Sequence, residues 1–291
     1  MTKKAKIITI AIVLSILALI LILFCAVFCL YRQDVVFIGE RNNTVKITDE
    51  QIIETAGFRT GRSIFSLDKD KAIENIEQTY PYLKVVQINT VSAIRIEIRV
   101  RERYEMYYAA DEINQNYYIL DEELKVLQIT DFEPTGITKL ESSLLGDTNI
   151  DILGITGNTV VSDFIANTHF RSLTDNLFVA MYNTVMIEED GVDRYVTRDD
   201  IKTLVTYVQF ARGYTLQESY DRIIITTSRG FIIDIGKPDS NLENKVNICF
   251  NAIDALIERG ESGGTIKVTY LDNGEERYNF IRDDQTSSDL I

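Results

Sequence analysis

One histidine, three cysteines and a scatter of neighbouring carboxylates are what this chain of 291 residues offers to catalysis. His169 sits inside the apolar-periodic stretch "SDFIANTHFRSLTDNLFVAMYNTV", where an imidazole on a helix face is the ordinary outcome and a general base the rare one. Cys25, Cys29 and Cys249 form no Cys or His pair with ligand spacing for zinc. Gly154 and Gly157 in "LGITGN" have no Walker or dinucleotide pattern around them, so they do not make a phosphate loop. Glu122 with Glu123, and Glu188 with Glu189, are the paired acids. Glycosidase chemistry needs two carboxylates facing one sugar, one of them with a pKa raised by burial, and adjacent acids in so acidic a chain read instead as solvated turns. No reaction, metal or cofactor is expected, and the reading turns to a protein that works by binding.

The elements around these residues carry more information. From Ile7 to Leu30 the chain has no charge, with Lys3, Lys4 and Lys6 before the run and Arg32 and Asp34 after it. A helix of that length is roughly 36 Å long, enough to cross a hydrocarbon core of about 30 Å. The expectation is a short cytoplasmic N-terminus over residues 1–6, a single transmembrane helix over 7–31 and the bulk of the chain outside, extracellular or periplasmic, because the lysines precede the span. A cleaved signal peptide fits less well, since the run is long and no A-x-A site follows it. Phe24 and Phe28 stand where lipid attachment at Cys25 or Cys29 would want a small residue. Cys249 is the one cysteine beyond the run, so the outer part has no intramolecular disulfide and must be held by packing.

The net charge of -14 is not spread evenly. Residues 31–103 are nearly balanced, whereas residues 104–291 carry 15 Lys and Arg against 33 Asp and Glu. So negative a surface repels phosphate backbones, which argues against nucleic acid as a partner.

Beyond the span, an extended piece around Val35 to Ile38 leads through Asn42 and Asn43 to a second short extended piece. Thr48, followed by Asp49, Glu50 and Gln51, has the spacing of a capping box and opens a helix that Gly57 closes. A second helix over "SLDKDKAIENIEQTY" places Ala72, Ile73 and Ile76 at helical spacing. Pro81, one of three prolines, stops it, because proline disfavours helical geometry at Tyr80 and has no N–H to donate. Strand patterning begins at once in "YLKVVQI", turns at Asn89 and Thr90, and resumes in "AIRIEIRVRER". There Ile94, Ile96, Ile98 and Val100 alternate with Arg95, Glu97, Arg99 and Arg101, a strand with one buried face and one wet, ion-paired face. The order strand, helix, helix, strand, strand over residues 32–103 makes a compact α+β unit.

Residues 104–282 read as a mixed, largely antiparallel β domain with packed helices. "YEMYYAA", "QNYYILD" and "KVLQI" are short strands separated by acidic turns, and residues 131–160 read mostly as loops. A helical insertion is expected near 160–212, from "SDFIANTHFRSLTDNLFVAMYNTV" and "RDDIKTLVTYVQFAR". "DRIIITTSRGFIIDIG" is a hairpin, "LENKVNICFNAIDALIERG" an amphipathic helix, and "GTIKVTYLDNGEERYNFI" a closing hairpin. Residues 283–291 read as a disordered tail.

The stretch from Ile47 to Arg103 resembles the POTRA domain of the FtsQ/DivIB family of bacterial cell division proteins. The residues that carry the likeness are Gly57 and Gly61, Ile64-Phe65, Leu67-Asp68, Tyr80-Pro81-Tyr82, the Ile-rich strand and the closing Arg101-Glu102-Arg103. Val91-Ser92-Ala93 stands where the family often has proline in the strand turn. "YYILDEELKVLQI" and the last hairpin, helix and strands look like the family's β domain, with Lys267 where members usually carry Asp. The resemblance implies a single-pass, non-catalytic scaffold of the divisome at the septum, binding FtsL-like and FtsB/DivIC-like partners, within reach of the septal synthase complex, and helping regulate septal cell-wall synthesis. It also implies structural roles for Gly57, Gly61, Phe65 and Pro81.

The expected partner site is the last strand, Glu276, Arg277, Tyr278, Asn279, Phe280 and Ile281, which follows a hairpin turn and precedes the tail. A strand so placed lies at a sheet edge and offers unpaired backbone groups to a partner, with Tyr278 and Phe280 as alternate side chains on one face. Two other readings stay open: a membrane-anchored cell-wall enzyme or inhibitor acting on peptidoglycan, and a transport component, whose regular barrel strands are not seen in the sequence.

Overall fold

The computed structural model describes residues 12–20, 22, 28–39, 46–111, 113–143, 155, 159–182, 185–189, 192–196, 201–211, 222–237, 241–270 and 276–282. The chain forms two compact units, Met1–Arg103 and Tyr104–Ile291.

The N-terminal unit runs β1 (Arg32–Phe37), α1 (Asp49–Ala56), a 3-10 turn at Ile64–Ser66, α2 (Lys69–Thr79), β2 (Leu83–Ser92) and β3 (Arg95–Glu102). β3 lies centrally, parallel to β1 and antiparallel to β2. The capping box at α1 is formed: the Thr48 N–H donates to Gln51 Oε1 at 2.9 Å and the Gln51 N–H donates to Thr48 Oγ1 at 3.4 Å. Gly57 ends the helix in the left-handed region, at φ 71. Asp68 caps α2 by accepting from the Lys71 N–H at 3.0 Å. Tyr80 closes α2, and Pro81 and Tyr82 form the turn into β2. Along β3 half-buried and fully buried residues alternate without a break. Ile98 and Val100 meet Ile52, Ala56, Ala72 and Ile76 of the helices in one core.

Two details of this unit differ from the sequence reading. The β2–β3 turn falls at Ala93 and Ile94, because Asn89 and Thr90 still pair with Glu97 and Ile96 across the sheet. Ile94 is therefore 44% exposed and lies outside β3. The second extended piece before α1 falls largely outside the described residues, and Lys46 and Ile47 are in no strand.

Residues 12–20 and 22 are helical, and their large apolar side chains are exposed, from 51% at Val13 to 65% at Ile22. Among the described residues no helix is long and apolar enough to cross a membrane, and most of the remainder of the predicted span lies outside them. Phe28 to Tyr31 are not helical. They belong to the N-terminal unit: Leu30 is fully buried with Ile64 and Ile96, and Cys29 bridges to Ser63.

The C-terminal unit is built on a nine-stranded sheet. Its strands are β4 (Tyr107–Asp111), β5 (Asn116–Leu120), β6 (Val126–Thr130), β7 (Thr138–Ser143), β10 (Val205–Ala211), β11 (Arg222–Thr227), β12 (Phe231–Gly236), β13 (Gly264–Tyr270) and β14 (Glu276–Ile281). β8 (Val185–Glu189) and β9 (Val192–Val196) pair only with each other. The order across the large sheet is β14-β13-β12-β11-β10-β7-β4-β5-β6. Neighbours pair antiparallel except β12 with β13, β7 with β10 and β4 with β7, which are parallel, and the two halves of the sheet join where β7 pairs with β10. There the Thr138 hydroxyl, buried, donates to the Val205 carbonyl at 2.8 Å. Helix α3 (Thr168–Tyr182) packs against α4 (Leu242–Glu258), and both bury their apolar faces in the core over this sheet.

The stretch "RDDIKTLVTYVQFAR" is not the helix its apolar spacing suggested. Among its described residues only Ile201–Leu204 turn helically; Val205–Ala211 is β10, a central strand with Val205, Val208 and Phe210 buried. Five of its seven residues are β-branched or aromatic, and pairing on both sides with β7 and β11 fixes the extended form over the helical one. β7 went unread for the opposite reason, since "TKLESS" has one large apolar side chain, Leu140.

Candidate functional site: the outer edge of the large sheet

β14 pairs with β13 from Thr265↔Ile281 to Tyr270↔Glu276, and among the described residues nothing pairs with its other side. β6, at the far end of the same sheet, is treated differently. The Val126 N–H donates to the Asp163 carbonyl at 2.8 Å, and the Ser162 N–H donates to the Val126 carbonyl at 2.8 Å. Lys125 also bridges to Phe164. One edge strand is thus met by the chain itself at its first residue, while the other has no strand partner on its outer side among the described residues, which is the template for an added strand.

The side chains of β14 do not face as expected. Tyr278 and Phe280 are half-buried and pack against the unit's core, Phe280 with its ring 6.3 Å from that of Phe231. Their cross-strand partners Val268 and Ile266 are buried. Arg277 and Asn279 are the exposed positions, and Ile281 is half-buried. The side chain of Glu276 lies outside the described residues. The outer side of β14 therefore presents its backbone together with Arg277 and Asn279, while the aromatic pair anchors the strand.

That anchoring depends on Gly264. Its φ of +134 suits glycine, and a Cβ there would come within 2.6 Å of Phe280 Cε2 and 2.7 Å of the Ile281 carbonyl oxygen. The first residue of β13 is thus bare so that the end of β14 can close over it. Arg282, just past the strand, is tied by its Nε to Glu261 Oε1 at 3.0 Å.

The other sequence-marked residues do not gather with this edge. Gly57 caps α1, Gly61 donates its N–H to the Leu30 carbonyl at 2.8 Å, and Pro81 turns the chain between α2 and β2. Phe65 is no core residue: it is 70% exposed, its ring 5.3 Å from that of Phe28. Arg95 on β3 reaches Asp34 on β1 at 2.5 Å and Arg99 lies 3.6 Å from Glu97, the ion-paired face expected of that strand. The side chains of His169, Glu188 and Glu189 lie outside the described residues. Glu123 and Asp175 line a cleft of about 310 Å³, but Arg171 shares it, a setting opposite to the apolar one that makes a carboxyl a general acid. Among the described residues no group of three or more His, Cys, Asp or Glu could hold a metal.

Burial governs the titrating groups of this unit. The Tyr107 hydroxyl, fully enclosed and facing the negative charges of Glu122 and Asp175, is pushed far above its ordinary pKa. The Cys249 thiol, buried and near Asp234, is pushed up to about 12, which makes it an inert core side chain.

Comparison with known proteins bears on the N-terminal unit. A family model of the POTRA domain, FtsQ-type, matches residues 42–103. The cell division protein DivIB of Clostridium botulinum strain Loch Maree is 32% identical over 81 residues, covering 28% of this chain and 30% of that protein. DivIB of the Hall strain is 30% identical over 89 residues, covering 31% of this chain and 34% of that protein. The chain thus spans about a third of the length of the curated relatives it matches. A solved structure, the major extracytoplasmic domain of the trans isomer of DivIB from Geobacillus stearothermophilus, is 16% identical and covers 55% of this chain and 98% of its own, at a TM-score of 0.28, a likeness too loose to carry fold or function. The domain match and the named relatives agree with the glycine, Tyr-Pro-Tyr and Arg-Glu-Arg signature, and the chain carries a POTRA domain of the FtsQ type, similar to that of DivIB cell division proteins.

Proposed function

We propose that this chain is a non-catalytic, membrane-anchored scaffold of cell division, with the apolar run that begins at Ile7 and precedes Phe28 in the cell membrane, residues 1–6 in the cytoplasm and both folded units outside, at the septum. It binds other single-span division proteins, FtsL-like and FtsB/DivIC-like, and through them helps regulate septal cell-wall synthesis. The observation that carries the reading is the asymmetry of the large sheet: β6 is capped by residues 162–165, while β14 has an open outer side among the described residues. An uncovered edge is an aggregation hazard that natural sheets blunt, so one left open and stabilised by its own aromatic anchors suits strand addition. The FtsQ-type domain before it and the DivIB relatives support a role for such binding in cell division.

The test uses the full chain in detergent and the fluorescently labelled extracytoplasmic segment of the host's FtsB/DivIC-like protein. Arg277→Asp with Asn279→Asp puts two new acids at exposed positions of the edge. Binding at least tenfold weaker, about 1.4 kcal/mol, with an unchanged circular-dichroism spectrum is expected. Undiminished affinity in a folded variant would remove β14 as the docking strand.

A further inference from the structure

The N-terminal unit concentrates its exposed apolar side chains at one end. Residues 28–32, which follow the apolar helix, are clamped between two turns. On one side the Leu30 N–H donates to the Arg62 carbonyl, Gly61 to the Leu30 carbonyl and Ile64 to the Phe28 carbonyl, at 2.8, 2.8 and 2.9 Å. On the other side the Tyr31 and Arg32 N–H groups both donate to the Ile94 carbonyl, at 2.9 and 3.1 Å. The register agrees: Arg32 stands opposite Arg95, so the start of β1 and the β2–β3 turn occupy the same end of the sheet. At this end Tyr31 is 64% exposed, Phe65 70%, Val91 50% and Ile94 44%.

Six residue steps separate Ile22, the last described residue of the apolar helix, from Phe28, so the clamped end lies within about 20 Å of it even if the chain is fully extended. Beside the clamp is a cleft of about 280 Å³ lined by Phe58, Arg59, Arg62, Asp68, Lys71 and Asn75. Arg59 and Arg62 are exposed, and Asp68 is engaged in capping α2. Aromatic rings with adjacent guanidinium and ammonium groups form the pattern that settles at a membrane–water interface, rings at headgroup depth and cations on lipid phosphates.

We propose that this end of the POTRA domain is a membrane-docking face: Tyr31, Phe65, Val91 and Ile94 sit in the headgroup layer and the Arg59–Arg62–Lys71 cleft takes the phosphate of an anionic lipid. The proposal rests on the reading of the chain as membrane-anchored. Docking of this kind fixes the orientation of the POTRA domain to the bilayer, and the backbone bonds of residues 28–32 hold that segment to the docking face.

The experiment places a single environment-sensitive fluorophore on the full chain, with Cys25→Ala, Cys29→Ala and Cys249→Ala in the background, at Ser15→Cys, Phe65→Cys, Ile94→Cys or Val86→Cys. Val86 is exposed and sits at the bulge opposite Arg99 and Val100, roughly 15 Å along β3 from the clamped end. The protein is reconstituted in vesicles of phosphatidylcholine with phosphatidylglycerol, and quenching by spin-labelled lipids of defined depth is read. Quenching of positions 65 and 94 by headgroup-labelled lipid at least threefold stronger than at position 86 is expected. Equal quenching at 65, 94 and 86, with position 15 quenched by a deep label, would overturn the docking face while leaving the anchor standing. No deep quenching at position 15 would overturn the anchor and the docking face together. Arg59→Glu with Arg62→Glu should halve the quenching at position 65 in these vesicles; the same signal in that variant and in phosphatidylcholine alone would overturn the anionic-lipid cleft.

Discussion

The Arg103 guanidinium lies 2.8 Å from the Glu77 carboxylate, with 1% of the arginine side chain and 14% of the glutamate exposed. The pair ties the last residue of the N-terminal unit to the last turn of α2. The second Glu77 oxygen accepts the Val85 N–H at 2.9 Å, and Arg103 Nε donates to the Leu83 carbonyl at 3.3 Å. Helix, following strand and unit boundary are thereby locked by one ion pair. Removing one partner leaves the other charge buried and uncompensated, so Arg103→Ala is expected to lower the stability of this unit by about 3 kcal/mol. Urea unfolding followed by circular dichroism checks it; a loss under about 1 kcal/mol would show the pair to be dispensable.

Pro81 should matter less. It stiffens the unfolded chain at a turn whose geometry it already fits, so Pro81→Ala is expected to cost roughly 0.5–1 kcal/mol. A variant more stable than the parent in the same urea titration would contradict this account of the α2–β2 boundary.

Gly264→Ala tests the anchoring of β14. The new Cβ meets Phe280 and the Ile281 carbonyl at a backbone angle that alanine rarely adopts, and a loss of about 1–3 kcal/mol is expected. Amide hydrogen exchange should quicken along Glu276–Ile281 and leave β4 and β5 as they were. Protection unchanged in β14 would show that the sheet end accommodates the methyl group.

The C-terminal unit should weaken in alkali with a definite sign. Cys249 has its folded pKa raised by burial, from the ordinary thiol value to about 12. The folded state holds the proton more tightly than the unfolded state, so the stability contributed is complete below about pH 8.5 and is lost as pH rises toward 12. Between those limits the loss is on the order of 1 kcal/mol per pH unit, with Tyr107 adding to it above about pH 10. Subtracting the urea midpoint of Cys249→Ala across this range should isolate the thiol part; parallel curves for the two proteins would show that Cys249 does not titrate on unfolding.

Much of the N-terminal unit was legible because local signals agreed there. The Thr48 capping box, the Pro81 stop and the alternation of β3 each act within a few residues. β10 and β7 were hidden because their form comes from strand neighbours distant in sequence: β10 imitates a helical period, and β7 is mostly polar on both sides. At β14 the bounds of the strand could be read from the hairpin and tail, but not which face is inward. A slip of one residue exchanges the faces, and the pairing of Tyr278 with Val268 sets that choice. Phe65 misled for a different reason, since a large aromatic is expected in a core and this one lies on the surface beside Phe28.

The parallel seam between β7 and β10 has a consequence for the order of assembly. Gln209 and Glu141, which meet across it at 3.5 Å, are 68 residues apart in the chain, whereas the β4–β5 and β11–β12 pairs on either side join strands only a few residues apart. Hairpins zip in microseconds, so the two halves of the sheet should form as separate nuclei and marry late. The polypeptide between them leaves one strand and re-enters at its neighbour. Doubling its length would raise the closure entropy by only about 0.6 kcal/mol. Outside α3 and the residues that meet β6, this is the stretch where a lineage can insert residues while the distant β14 rim keeps its shape.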